Sequence, residues 1–279
     1  MSNLIVDGPY LAHRSYGAPY RLTTSKGLDA TLIHSFFRTL NSLRKKFKPE
    51  TVFITWESHG TKSWRRLKYP SYKPSRNNSI GKEYWSGIRD TQILASLFGV
   101  KQYYSPSNEA DDVIATLVKK NNTSENIIYT VDKDLMQLVD NRNFVWDGKE
   151  LYDRRKVFEK FCVYPNQIPD LLAIWGDVSD NIDGIIVYGK RKSAKILEKY
   201  NSVENIPENH TIHKYLTKLI FNKELTTLNR QCSLEKIPSE KFSATIDDIL
   251  DKYELESMKE NVNEYKLLGN TGEIDKWLK

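Results

Sequence analysis

The chain has 279 residues, 39% apolar and 28% charged, with 42 lysines and arginines against 36 aspartates and glutamates. That size supports a sizeable core, and the apolar fraction excludes wholesale disorder. No apolar run reaches the roughly eighteen residues of a membrane span, and the net charge of +6 leans toward polyanionic partners.

The N-terminal stretch MSNLIVDGPY meets Asp7 after a short apolar run, so no secretory signal is expected. Cys162 and Cys232 form no CxxC or Cys/His cluster, which argues against disulfide scaffolds and zinc sites and fits a reducing cytoplasm. Leu4–Asp7, Thr51–Glu57 and Ile127–Asp132 read as strands, short and apolar without alternation, as expected of strands buried on both faces. Asp29–Phe47, Glu83–Phe98 and Glu109–Lys120 read as the intervening helices, an order that predicts a parallel α/β sheet. From about Pro165 the texture turns helical, with Pro165–Ile174, Ser193–Tyr200, Tyr215–Asn229 and Tyr253–Tyr265 as helices. Two regions are therefore expected, 1–163 and 164–279.

All three strands finish in an acid, Asp7, Glu57 and Asp132, and Asp134 follows closely. Ligands of open parallel sheets bind beyond the carboxyl ends of the strands. Asn108-Glu109-Ala110-Asp111-Asp112 then opens a helix; read locally, its acids complement the helix dipole under an Asn108 cap. Gly176-Asp177-Val178-Ser179-Asp180-Asn181 read locally is a polar turn. If these acids converge, each pair of like charges at ~4 Å costs about 4 kcal/mol at an effective dielectric near 20. No single lysine or arginine offsets that. Divalent cations do, and hard oxygen donors without His or Cys point to Mg²⁺ or Mn²⁺. Two such ions suit phosphodiester cleavage.

Thr61–Arg76 carries Lys62, Arg65, Arg66, Lys68, Lys73 and Arg76 without one acid, interleaved with Trp64, Tyr69 and Tyr72. Cations for phosphates and rings for bases are a single-strand binding combination, and the segment should overhang the acidic edge. Lys190-Arg191-Lys192 follows Gly184 and Gly189, where glycines permit close backbone approach and a helix N-terminus offers amides to phosphate. The terminal Glu273–Lys279 reads as an amphipathic turn.

Taken in order, Leu4-Ile5-Val6-Asp7-Gly8, Tyr72-Lys73-Pro74-Ser75-Arg76, Glu109-Ala110-Asp111-Asp112, Thr130-Val131-Asp132-Lys133-Asp134 and Gly176-Asp177-Val178-Ser179-Asp180-Asn181 resemble the structure-specific 5′-nuclease family. This family includes flap endonucleases, 5′-3′ exonucleases of phages and the 5′-nuclease domain of bacterial DNA polymerase I. The resemblance covers roughly residues 3–205. It implies a PIN-like parallel sheet flanked by helices, a helical arch at about 58–90, and a helix–three-turn–helix duplex-binding region at about 165–205. It further implies that Asp7, Glu109, Asp111 and Asp132 belong to a first metal site, with Asp112 and Asp134 assisting nearby. Asp177 and Asp180 would organise a second, and Glu57 stands where the family has Asp. Lys73 and Arg76 match cations expected to contact the scissile phosphate, Tyr72 a base-stacking ring, and Arg14 a phosphate contact. Gly184, Gly189, Lys190 and Lys192 fall in the duplex-binding turn, where K⁺ is a candidate ligand and Val187 replaces the middle glycine.

The expected activity is Mg²⁺-dependent hydrolysis of branched or 5′-ended DNA by a cytoplasmic monomer. RNA primer–DNA hybrids are candidate substrates, and a DNA polymerase or single-strand-binding protein a candidate partner. A PIN-type ribonuclease and a catalytically inert branched-DNA binder remain alternatives. An Asp-x-Asp phosphatase fits less well, because Leu135 follows Asp134.

Overall fold

The computed structural model describes residues 2–58, 60–74, 81–237 and 243–269, so Arg76 and Glu273–Lys279 lie outside the described residues. β1 (Ser2–Asp7), β2 (Thr51–Thr55), β3 (Lys101–Tyr104), β4 (Glu125–Tyr129) and β5 (Asn143–Trp146) pair in parallel, and β6 (Leu151–Tyr152) adds antiparallel to β5. β7 (Gly176–Asp177) and β8 (Ile182–Asp183) make a separate antiparallel hairpin. Much later in the chain, β9 (Glu235–Lys236) closes the opposite edge of the sheet, giving the order β6-β5-β4-β1-β2-β3-β9.

Helices cover both faces. α1 (Gly8–Tyr16), α2 (Thr31–Phe47), α3 (Trp64–Lys68), α4 (Lys82–Leu97) and α5 (Ala110–Lys120) belong to the first half; α6 (Arg154–Phe161), α7 (Ile168–Trp175), α8 (Lys190–Tyr200) and α9 (Leu216–Thr226) follow. α10 (Ile246–Lys252), α11 (Glu256–Glu260) and α12 (Val262–Lys266) end the described chain. Alternate strand residues enter different cores. Leu4, Val6, Val52 and Ile54 pack with α1, α2, α4 and α10, whereas Ile5, Phe53, Ile128 and Val145 pack with α5 through α9. Burial on both faces is why the strand sequences show no alternation. Each fully buried aliphatic side chain contributes roughly 1.5–3 kcal/mol to this packing.

The parallel α/β sheet is as expected, with four strands, β3, β5, β6 and β9, and the helices α1 and α6 added. β3, β5 and β6 are short and carry polar residues, and α1 starts directly after Asp7, with Pro9 in its first turn. The expected single helix at 253–265 instead begins after Glu254, whose φ of 51° separates it from α10, and is divided at Asn261 into α11 and α12. The chain after α9 also does not stay with the helical half. β9 pairs with β3, Lys252 and the Tyr253 hydroxyl meet Asp90 of α4 at 2.6 Å each, and Lys45 of α2 meets Glu264 at 2.7 Å. These contacts tie the last described elements to the first half, while the helical residues share one continuous core with α5.

Candidate active site

β1 delivers Asp7 to the carboxyl edge of the sheet, where it caps α1. Its Oδ1 accepts the Tyr10 N–H at 3.0 Å and its Oδ2 accepts the Thr130 hydroxyl at 2.8 Å. Burial, helped by the charges of Asp132 and Glu57, pushes its carboxyl up to about 6 despite these hydrogen bonds. Pairing of Asp7 with Thr55, and of Val6 with Tyr129, sets Glu57 and Asp132 just past the ends of β2 and β4. Glu57 is exposed, and Asp132 is half-buried with its Oδ1 accepting the Asp134 N–H at 2.9 Å.

At the start of α5 the cap is Glu109; Asn108 turns instead to Ser105 and Pro106. Asp111 is raised well above the usual carboxylate range by burial, then by Asp132 and Asp7. Asp112 behaves differently. Its two oxygens receive Arg65 at 2.7 and 2.9 Å and the backbone amides of Glu109 and Asn229 at 3.2 and 2.8 Å. The Asp112 carboxylate is thus held in a fully buried ion pair beside Glu109.

The β7–β8 hairpin presents Asp177 and Asp180 to the turn that follows Asp132. Oxygens of Asp134, Asp177 and Asp180 all lie within 4.8 Å of one another, and among the described residues this is the one acidic group so close. Asp177 Oδ1 accepts the Ser179 amide at 3.0 Å and hydroxyl at 2.5 Å, while Lys133 Nζ approaches Oδ2 at 2.6 Å. Against the effect of burial, Lys133 and Ser179 hold Asp177 below its ordinary range. Asp134 and Asp180 move the other way. Burial leads in both, with Asp132 and Asp177 among the charges that reinforce it, and Asp134 Oδ1 is buried without a hydrogen-bond partner. The charge of Asp132 thus bears on both groups, raising Asp7 and Asp111 on one side and Asp134 and Asp180 on the other.

The basic segment folds down onto these acids. The Tyr72 hydroxyl lies 3.0 Å from Glu109 Oε2 and 2.7 Å from Asp180 Oδ2, and Lys73 Nζ lies 3.1 and 3.5 Å from the same two atoms. Against burial, Lys73 and then Arg65 hold Glu109 low. Tyr72 is 2% exposed, so the expected base-stacking ring is instead a buried bridge between two acids, far above its ordinary pKa through burial and their charges. Lys73 itself is buried, at φ 47°, with its N–H donated to the Asp180 carbonyl at 3.2 Å. Sequence reasoning missed three partners: Arg65, Lys133 and Thr130. Nothing in a run of cations marks which one turns inward, although Lys133 between two aspartates was a visible hint.

Among the expected nucleic-acid contacts, Arg14 is exposed and donates to the Tyr129 hydroxyl. Gly184 is required by packing, since a Cβ there would stand 2.2 Å from the Trp175 carbonyl oxygen and 2.6 Å from Gly176 N. At Gly189, which caps α8, a Cβ would meet nothing within 4 Å. Lys192 is exposed, whereas Lys190 donates to the Lys160 carbonyl at 3.0 Å. Ile186 and Val187 stand out from the turn, 96% and 66% exposed. Four of the turn's carbonyls accept hydrogen bonds: Gly184 from Lys218 Nζ at 3.4 Å, Ile185 from the Tyr188 N–H at 2.8 Å, and Tyr188 and Gly189 from Ser193.

Residues 2–162 match the family model of the 5′-3′ exonuclease N-terminal resolvase-like domain, and residues 163–263 that of the 5′-3′ exonuclease C-terminal SAM fold. The 5′-3′ exonuclease of Mycoplasmopsis pulmonis is 29% identical over 273 residues, 90% of each chain. That of Aquifex aeolicus is 37% identical over 209 residues, 74% of this chain and 72% of its own. The T5 D15 protein, co-crystallized with metal ions, has the same fold, with a TM-score of 0.66 at 21% identity, covering 95% of this chain and 100% of that one. No helix of the described residues is long and apolar enough to cross a membrane. By both halves of its sequence, the chain belongs to the 5′-3′ exonuclease family, whose members are metal-dependent phosphodiesterases.

Proposed function

We propose that the chain is a Mg²⁺-dependent, structure-specific 5′-nuclease that hydrolyses DNA phosphodiester bonds near 5′ ends or junctions during replication and repair. The carrying observation is the close triad of buried acids, one of whose oxygens, Asp134 Oδ1, has no partner. An all-oxygen donor set of this kind fits Mg²⁺, with Mn²⁺ as substitute. Asp134, Asp177 and Asp180 would hold one ion, and Asp7, Glu109, Asp111 and Asp132 a second, with Glu57 at the exposed rim. A bound pair of divalent ions stabilises both the entering and the leaving oxygen of an in-line displacement.

The protein's own groups orient this set. Tyr10 and Thr130 fix Asp7, Ser179 fixes Asp177, and Lys73 adds positive charge where a phosphate would be drawn against the acids. Arg14, Lys190, Lys192 and the turn between Gly184 and Gly189 are assigned to DNA phosphates, with residues 1–163 as catalytic domain and the helical region from 164 onward gripping the duplex. A K⁺ ion at that turn is disfavoured, because four of its carbonyls already accept hydrogen bonds and Val187 occupies the glycine position. Duplex affinity should therefore be equal in KCl and NaCl at matched ionic strength; strengthening specific to K⁺ would show an alkali-ion site after all. Within the cytoplasm, a monomer handing its product to a polymerase or meeting a single-strand-binding protein completes the reading.

Substitution of Asp132 or Asp177 by Ala should abolish Mg²⁺-dependent cleavage of a 5′-flap DNA while the fold survives. Full activity in either variant overturns the site. Lys73→Ala should lower the single-turnover rate more than it lowers DNA affinity.

A further inference from the structure

Arg65 is the one arginine among the described residues whose guanidinium is wholly inside the protein, at 1% exposure. Its three nitrogens reach two separate parts of the fold, the start of α5 and the end of α9. Nη1 and Nη2 grip Asp112 of α5 at 2.7 and 2.9 Å, and Nη1 also lies 3.4 Å from Glu109 Oε2. Nε donates to the Leu225 carbonyl at 2.7 Å and Nη2 to the Thr227 carbonyl at 3.1 Å, at the end of α9. Arg65 itself stands on α3, two turns of chain before Tyr72 and Lys73, and its guanidinium lies 4.5 Å from the Trp64 ring.

We propose that Arg65 is a positioning residue: it keeps Asp112 away from the metal, sets Glu109 for it, and ties the placement of the basic segment to metal affinity. This rests on the reading of Glu109 as a metal ligand. A buried guanidinium is tolerable only when its charge is matched and its donors are filled. Asp112 supplies the charge in a two-pronged geometry that a lysine cannot reproduce, and the α9 carbonyls fill the remaining donors. Asp112 in turn has no capacity left, since two backbone amides occupy what Arg65 leaves. Among the described residues the side-chain contacts to the Glu109 carboxylate, from Arg65, Tyr72 and Lys73, fall on Oε2, while the capping box sets that carboxylate against the backbone N–H of Asp112. Oε1, which no side chain contacts among the described residues, is the oxygen assigned to an ion. Without Asp112, the stranded Arg65 would draw Glu109 fully onto itself and remove that ligand from the site. Asp112 therefore governs metal binding without touching the metal.

The test is calorimetric titration of Mg²⁺ onto the full chain without DNA, with thermal melts to confirm folding. Arg65→Lys should bind Mg²⁺ about tenfold or more weakly, the usual cost of losing a group that orients ligands. Asp112→Asn should weaken binding to a similar degree. The double variant Arg65→Met with Asp112→Leu, which buries neither charge, should bind more tightly than Asp112→Asn alone. Were Asp112 a ligand, the double variant would stay as weak as the single, and the proposal would fall. Wild-type Mg²⁺ affinity in Arg65→Lys would also overturn it, and this variant decides the matter if the double variant does not fold. A wild-type chain that binds Mg²⁺ nowhere would instead refute the metal reading itself, and the proposal with it.

Discussion

Replacing Asp134 by asparagine should make the metal-free protein more stable and the metal-loaded protein less so. Asp134, Asp177 and Asp180 bring carboxylate oxygens within 4.8 Å of one another, so each ionised pair costs about 3 kcal/mol at an effective dielectric near 20. Lys133 and Lys73 offset part of this through Asp177 and Asp180, but no hydrogen bond reaches Asp134 Oδ1. Burial and three neighbouring acids all push its carboxyl upward. Removing that ionisable group while keeping its shape should stabilise the EDTA-treated protein by about 1–3 kcal/mol, or a few degrees in Tm for a chain of this size. Addition of Mg²⁺ should raise the wild-type Tm and leave the variant nearly unmoved. Thermal melts of both proteins in EDTA and in Mg²⁺ decide it. If Asp134→Asn proved less stable than wild type in EDTA, yet was stabilised equally by Mg²⁺, the electrostatic reasoning would be refuted.

Other consequences are equally direct. Because the folded state holds Asp7 at about 6 while the unfolded chain releases that proton near 3.8, metal-free stability should fall by about 2 kcal/mol as pH rises from about 4 to 6, while Mg²⁺ affinity climbs over the same range. Urea titrations in EDTA across that range measure it, and stability that rises with pH would contradict it. Gly184→Ala should cost more than about 3 kcal/mol, since the new methyl meets backbone at 2.2 Å, whereas Gly189→Ala should stay within about 1 kcal/mol. Equal costs in urea unfolding would show that the β7–β8 contact is not as tight as described. Tyr72→Phe should destabilise the metal-free protein by about 1.5–3 kcal/mol, the worth of a buried hydrogen bond to charged partners; an unchanged denaturation midpoint would remove Tyr72 from the acid network.

Much of the sheet was legible because apolar runs such as Leu4–Val6 and Val52–Ile54 are long enough to register without alternation. β3 and β5 were not, since Lys101, Gln102 and Asn143 dilute the apolar signal in strands only four residues long. The acids could be placed at one edge of the sheet from the sequence because strand ends and helix starts were predictable. What composition cannot express is direction. Arg65 and Lys62 are indistinguishable in a basic run, yet Arg65 is sealed in the core and Lys62 is exposed. The same ambiguity hid Tyr72, an aromatic suited to stacking that long-range contacts with α5 and the β7–β8 hairpin pull inward. The return of β9 and α10 to the first half was equally invisible, being set by pairing between positions more than a hundred residues apart.

The most direct test is cleavage of an end-labelled 5′-flap DNA by the purified protein in Mg²⁺ and in EDTA, beside single-stranded DNA and RNA controls. Metal-dependent cutting near the junction, lost in EDTA, is the predicted result. Flap binding without cutting in either Mg²⁺ or Mn²⁺, or cutting confined to RNA, would contradict it.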